Sequence, residues 1–247
     1  MHYSHIAFDL DNTLLATDAD MHRYFDSYVS ALRLEPAKEI AASFFAWNIH
    51  CWQKLDEQQI NHQELGRLRF QLWAEQWGLQ IDPDEANRKY REALGNATTA
   101  LPGAGALLHR LQGQARLYVA SNGFKEQVHK RLNKLGWESF FDSIFASSAM
   151  KSGKPHEAFF REVWEAMSAP PKERVLFIGD NYINDIEGAR RFGFDTAWIR
   201  QREEPGRTAT IEVQTLPELE KILFTKIKRH RYPPKRRARL FLAGKRM

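Results

Sequence analysis

The chain has 247 residues, 43% of them hydrophobic and 12% aromatic, enough to bury one large domain or a core with a smaller insert. No apolar run approaches the about 18 residues of a membrane span, no charged-then-apolar start predicts a signal peptide, and the single cysteine, Cys51, excludes an internal disulfide framework and predicts a reducing, cytoplasmic setting. The net charge of +5 misleads, because residues 225–247 hold 10 Lys and Arg and no acid, leaving 26 basic residues against 31 acidic ones elsewhere; the excess belongs to a basic tail.

In chain order, residues 3–9 predict a buried strand that runs into "DLDNT", with Asp9 and Asp11 two residues apart. Two such acids repel, and burying them is costly unless a cation or hydrogen bonds compensate. Residues 17–98 are strongly helical, with candidate helices at 19–34, 36–55, 61–78 and 82–95, punctuated by Pro36, Gly78 and Pro83. Leu65, Leu68 and Leu72 give one of them an apolar stripe at helical spacing. After Pro102-Gly103 the period changes. "PGAGALL" (102–108) lacks the third glycine of a dinucleotide loop and reads as a turn opening a helix. Strands are predicted at 116–122, 143–147, 174–180 and 195–199, and helices at 124–136, 154–167 and 184–193. Apolar strands alternating with helices predict an α/β fold, a parallel sheet wrapped by helices. The expected organisation is a discontinuous core (1–16 and 99–224), a helical insertion (17–98) and the basic tail (225–247).

Polar groups recur where the predicted strands end. Asp180 follows the strand at 174–180 and Asp185 lies five residues on; Ser121-Asn122 close the strand at 116–122; Lys154 sits in a loop before a helix. Ligands of open parallel sheets bind at the carboxyl ends of strands. Several carboxylates, one ammonium, a hydroxyl and free N–H groups at loop–helix junctions suit a hard divalent cation and a phosphoryl group. Each piece has a plainer reading. Ser121-Asn122 alone is an ordinary strand-end turn, Lys154 a solvated loop lysine, and Asp185 a cap of the helix that follows.

Taken together and in order, Asp9-Leu10-Asp11-Asn12-Thr13, Ser121-Asn122, Gly153-Lys154-Pro155 and Gly179-Asp180 with Asp185 resemble the four motifs of the haloacid dehalogenase superfamily, over about residues 5–200. The resemblance implies a Rossmann-like three-layer core with a parallel sheet, and a four-helix cap of the family's first type in the insertion. With Asp11 in the first motif, the chain resembles the phosphohydrolase branch. A halide leaves without a proton, whereas an alkoxide needs one, and a carboxylic acid can supply it. The resemblance further implies Mg²⁺ held by the Asp9 carboxylate, the Asp11 backbone carbonyl and Asp180. Asp9 would be the nucleophile and Asp11 the general acid and base. Ser121 and the Asn122 N–H would bind phosphoryl oxygens with Lys154, while Asp185 orients Lys154 or a metal-bound water.

The expected substrate is a small phosphorylated metabolite. "QELGRLRFQLWAEQWGLQID" (63–82) and the run from Leu101 through "SNGF" to Leu132 are similar to the bacterial pyrimidine 5′-nucleotidases, with Phe124 placed to touch the leaving group. "DLDNTL" with "GDN" is also similar to sialic-acid-phosphate and other sugar phosphatases, which is the alternative. Of the aromatics Tyr24, Phe25, Phe44, Phe45, Trp47, Trp52, Trp73 and Trp77, most are expected to pack within the insertion and one or two to face the site. A reading of another class rests on the tail. There, basic residues alternate with Tyr232, Pro233-Pro234 and Phe241, a pattern suited to nucleic acid or an anionic surface.

Overall fold

The computed structural model describes residues 2–200 and 205–225, so the basic tail, apart from Thr225, lies outside the described residues. Six parallel strands form one sheet in the order β3-β2-β1-β4-β5-β6. They are β1 (His5–Phe8), β2 (Arg116–Ser121), β3 (Ser143–Ala146), β4 (Val175–Gly179), β5 (Asp195–Ile199) and β6 (Ile211–Val213). Alternation along the strands builds two cores. Ile6, Phe8, Leu117, Val119, Leu176 and Ile178 face one layer; Ala7, Tyr118, Ala120, Val175 and Phe177 face the other. The first layer is closed by α5 (Ala104–Leu111), α6 (Lys125–Lys134) and α9 (Leu216–Phe224), the second by α7 (Glu157–Ala166) and α8 (Gly188–Phe192). The result is the expected three-layer α/β fold.

The chain leaves the sheet after β1 for α1 (Thr17–Ala31), α2 (Ala37–Asp56), α3 (His62–Trp77) and α4 (Pro83–Leu94). Local chemistry sets their ends. Asn61 and Glu64 form a reciprocal capping box at the start of α3, Gly78 closes it at φ 61°, and Asp82 caps α4 ahead of Pro83. The four helices enclose their own apolar cluster of Met21, Phe25, Ile40, Phe44, Phe70, Trp73 and Tyr90. Phe25 stacks on Phe44 with centroids 3.9 Å apart, and the Trp73 indole donates to the Ile40 carbonyl at 2.9 Å. Outgoing and returning chains run side by side: the Ala16 N–H donates to the Thr99 carbonyl (2.8 Å) and the Leu101 N–H to the Leu14 carbonyl (2.9 Å).

The structure departs from the sequence expectation in two places. β6 and α9 extend the sheet and its cover beyond the predicted elements. The helix expected at 184–193 opens earlier, as a π-turn at Tyr182–Glu187 that leads into α8. Of the eight aromatics, Phe25, Phe44 and Trp73 are buried in the bundle, and Tyr24, Phe45, Trp47 and Trp77 pack against the same cluster. Trp52 stands apart from it, with its ring 6.2 Å from that of His62.

Candidate active site

Strand order reverses beside β1, since β2 and β3 lie on one side and β4 to β6 on the other. Such a switch point opens a crevice at the carboxyl ends of the strands. Asp9 follows β1 and Asp180 follows β4, so the two flank it. Around them the structure gathers Lys154 and Asp185. The Lys154 Nζ donates to Asp9 Oδ1 at 2.7 Å and to Asp185 Oδ1 at 2.6 Å, with Lys154 only 2% and Asp185 1% exposed. Lys154 is therefore no solvated loop lysine. Asp185 is no conventional cap either: the N-cap position is held by Asn181, whose side-chain carbonyl accepts from the Asn184 N–H, while Asp185 Oδ2 accepts from the Asn181 N–H at 3.0 Å.

One carboxylate oxygen each from Asp9, Asp180 and Asp185 lies within 4.8 Å of the others. Thr13 Oγ1 bridges two of them, 3.1 Å from Asp9 Oδ2 and 3.3 Å from Asp180 Oδ1. The electrostatics are unbalanced, with three carboxylates against one ammonium. Burial lifts Asp9 to about 7, because the pull of Lys154 is opposed by Asp185 and Asp11. Burial, with Asp9 and Asp185 nearby, raises Asp180 well above the usual carboxylate range. Lys154 is held above its ordinary value; burial acts against its charge, but Asp185 and Asp9 outweigh that. A hard, all-oxygen donor set with surplus negative charge fits a small divalent cation.

The turn after β2 faces the same crevice. The buried Ser121 Oγ accepts from the Gly123 N–H at 3.0 Å. The Asn122 side chain is spent on the lysine loop: it donates to the Lys154 carbonyl and accepts from the Lys154 N–H, both at 2.8 Å. The side chain thus ties the two loops together, and the group expected to meet a phosphoryl oxygen is the Asn122 backbone N–H. Gly179 is required by packing, since a β-carbon there would collide with the Asp185 carboxylate. Gly179→Ala is expected to lower stability by about 1–3 kcal/mol and to weaken activity by displacing Asp185 from Lys154, measured by thermal unfolding alongside turnover.

Asp11 occupies a different position. Its side chain is 33% exposed and pairs with Arg131, 2.5 Å from Nη1 to Oδ1, while the Thr17 hydroxyl donates to Oδ1 at 2.7 Å. Burial pushes Asp11 up, but Arg131 and the hydrogen bonds from Arg131 and Thr17 outweigh it and hold the carboxyl below its ordinary value. Sequence reasoning missed Arg131 and Thr17, and it placed Thr13 in the first motif without a role. The helical spacing of Gln127, Val128, Arg131 and Leu132 was the available signal, because it puts a cation on the buried face of α6.

The helical bundle meets the crevice through a few side chains. His62 Nε2 lies 3.1 Å from Ser147 Oγ, and the His156 ring meets the Asp56 carbonyl at 2.7 Å. Phe124, buried between bundle and sheet, has Arg91 4.4 Å over its ring and His62 edge-on at 5.3 Å. A cavity of about 500 Å³ lies beside this contact, lined by Asp56, His62, Asn122, Ser147, Lys151 and His156. A second, of about 620 Å³, opens between α1 and α4 around Tyr24 and Tyr28 and is lined by none of Asp9, Asp11, Asp180 or Asp185.

Comparison with known proteins identifies the family. The pyrimidine 5′-nucleotidase YjjG of Escherichia coli is 31% identical over 228 residues, covering 90% of this chain and 99% of that protein. The pyrimidine 5′-nucleotidase PynA of Streptococcus pneumoniae is 29% identical, covering 89% of this chain and 94% of that protein. The magnesium-bound crystal structure of the HAD-hydrolase YfnB from Bacillus subtilis superposes with a TM-score of 0.83 at 28% identity, covering 90% of this chain and 98% of that one. The haloacid dehalogenase-like hydrolase family model matches residues 3–193, and with the sheet, the switch-point acids and the buried lysine in place, the chain belongs to that family of hydrolases.

Proposed function

We propose that the protein is a Mg²⁺-dependent phosphomonoester hydrolase working through an aspartyl-phosphate on Asp9, with nucleoside 5′-monophosphates as substrates. The observation that carries this reading is the Asp9–Lys154–Asp185 chain of contacts beside Asp180 at the switch point, with Asp11 two residues beyond Asp9. The similarity to two pyrimidine 5′-nucleotidases supports the substrate class.

In the proposed mechanism Asp11 is a carboxylate beside Arg131 in the resting site and takes up a proton as the anionic phosphate enters next to it; Asp9 then attacks phosphorus as the bond to the leaving oxygen breaks, and Asp11 gives that oxygen its proton. Asp11, now a carboxylate, takes a proton from water as the water attacks the phosphorus of the acyl-phosphate, which frees Asp9 and phosphate. Lys154 and the backbone N–H groups after Ser121 offset charge gathering on the phosphoryl oxygens. The Asp9 carboxylate, the Asp11 carbonyl and Asp180 would hold Mg²⁺. Its charge would keep Asp9 ionised and let two anions approach. The bundle is read as a cap, with Phe124, Arg91 and His62 bordering the leaving group; an aromatic stack on a base contributes about 1–3 kcal/mol.

Phosphate release from UMP, dTMP, AMP and a hexose phosphate tests the reading. Nucleotides are expected to have kcat/KM roughly 5- to 150-fold above the sugar phosphate, the range of one stacking contact. A sugar phosphate ahead of every nucleotide by tenfold or more would overturn the nucleotidase reading and leave the phosphatase reading standing.

A second expectation links metal and pH. An aspartate raised to about 7 in the fold keeps its proton where the unfolded chain, at 3.8, has lost it. Its contribution to stability is therefore full below about pH 4 and declines as pH rises through about 7. A bound cation removes this loss. Mg²⁺ is expected to raise Tm more at pH 8 than at pH 5, and chelator to abolish turnover. An equal Tm shift at both values, or chelator-insensitive turnover, contradicts the scheme.

A further inference from the structure

We infer that Arg131 is a positioning residue for Asp11, fixing its carboxyl through one oxygen so that the other faces the leaving group. This rests on the reading of Asp11 as the proton donor and extends it to a residue in none of the four motifs.

The argument begins with burial. Arg131 is 1% exposed, and its guanidinium donates to Asp11, Thr17 and the carbonyl of Gln127. A guanidinium enclosed on the apolar face of α6 is costly without an anion, and Asp11 is the anion it meets. The pairing is lopsided. Oδ1 takes the Arg131 Nη1 bond at 2.5 Å and the Thr17 hydroxyl at 2.7 Å, whereas Oδ2 has a single 3.5 Å contact from Arg131 Nη2. Oδ1 is thus saturated, and Oδ2 is left to carry a proton without disturbing either strong bond.

The placement of Oδ2 gives the asymmetry its use. It lies along the turn after β2, 3.8 Å from where a Gly123 β-carbon would stand, and Ser121 Oγ is 3.1 Å from that same point. Gly123 leaves this space open between the candidate proton donor and the candidate phosphate loop. Thr17 is the first residue of α1, so the clamp also joins the sheet-side helix α6 to the start of the bundle.

During phosphoryl transfer, the Asp9 oxygen bonds to phosphorus, the leaving oxygen departs with the electron pair of its broken bond, and that pair takes the Oδ2 proton. Asp11 is left as a carboxylate between Arg131 and Thr17. If Arg131 is removed, Oδ2 loses its fixed direction, and the loss matters most for leaving groups that need the proton.

The test measures kcat/KM of the full chain for a series of aryl and alkyl phosphate monoesters, with wild type, Arg131→Met, Arg131→Lys and Asp11→Asn. This ratio reports the step that forms the phosphoenzyme. Arg131→Met is expected to lose about 10²-fold or more on alkyl phosphates, the scale of general acid catalysis, and far less on p-nitrophenyl phosphate, so that dependence on leaving-group basicity steepens. Arg131→Lys is expected to steepen it less, and carries the test if Arg131→Met fails to fold. A uniform loss across the series in a folded Arg131 variant, with Asp11→Asn steepening it, overturns the inference and leaves the role of Asp11 intact. No steepening in Asp11→Asn overturns the reading beneath it.

Discussion

Asp9→Asn is expected to lower turnover by about 10⁴-fold or more, the scale on which removal of a nucleophile acts, while the protein stays folded. An amide of the same shape cannot form the acyl-phosphate. It also relieves a carboxylate that burial and its acidic neighbours already hold near 7, and Lys154 keeps its bond to Asp185. Tm should be unchanged or higher than that of the metal-free wild type. Phosphate release near the wild-type rate by folded Asp9→Asn would remove Asp9 from the chemistry.

Lys154→Met is expected to damage both activity and stability. The side chain is enclosed, and its ammonium holds Asp9 and Asp185 at 2.7 and 2.6 Å. Taking one partner from a buried pair costs about 3–5 kcal/mol, because the remaining charges stay behind without compensation. The variant leaves Asp9, Asp180 and Asp185 facing one another. Its destabilisation should be larger at pH 8, where the acids are driven to ionise, than at pH 5. Turnover is expected to fall by about 10²–10³-fold, the range for loss of one preorganised electrostatic contact. Denaturant unfolding at the two pH values separates this from a general packing defect, which would cost the same at both.

These two residues were legible in the sequence because each stands in a short run whose chemistry is unusual. Asp9 ends an apolar strand two residues before another acid, and Lys154 lies between Gly153 and Pro155 in a loop feeding a helix. The sheet was legible for the same reason: strands buried on both faces read as continuous apolar runs, such as "VLFIG". β6 escaped notice because three residues of "IEV" carry no period, and it exists only by pairing with β5. The π-turn at 182–187 was hidden because the Asn181 cap and the Asp185 bond back to the Asn181 N–H set it, local polar contacts that leave no mark on the apolar periodicity.

The contacts made by the helical bundle were the least legible. His62, Asp56 and Arg91 sit on helices whose patterns specify packing within the bundle, and their meeting with Ser147, His156 and Phe124 depends on how the bundle docks on the sheet. Arg131 was readable in principle, as a cation sharing a helix face with Val128 and Leu132. In a helix dotted with basic residues it looks like one more solvated charge until its partner, Asp11, is brought 120 positions along the chain to meet it.

The most direct test of the central claim is chemical trapping of the phosphoenzyme. Wild-type protein is mixed with UMP and Mg²⁺, quenched in acid during turnover and treated with borohydride, which reduces an acyl-phosphate to an alcohol. Peptide mass analysis then locates the reduced residue. The account predicts homoserine at position 9, absent without substrate and absent in Asp9→Asn. Reduction at another carboxylate, or none while phosphate is being released, would contradict it.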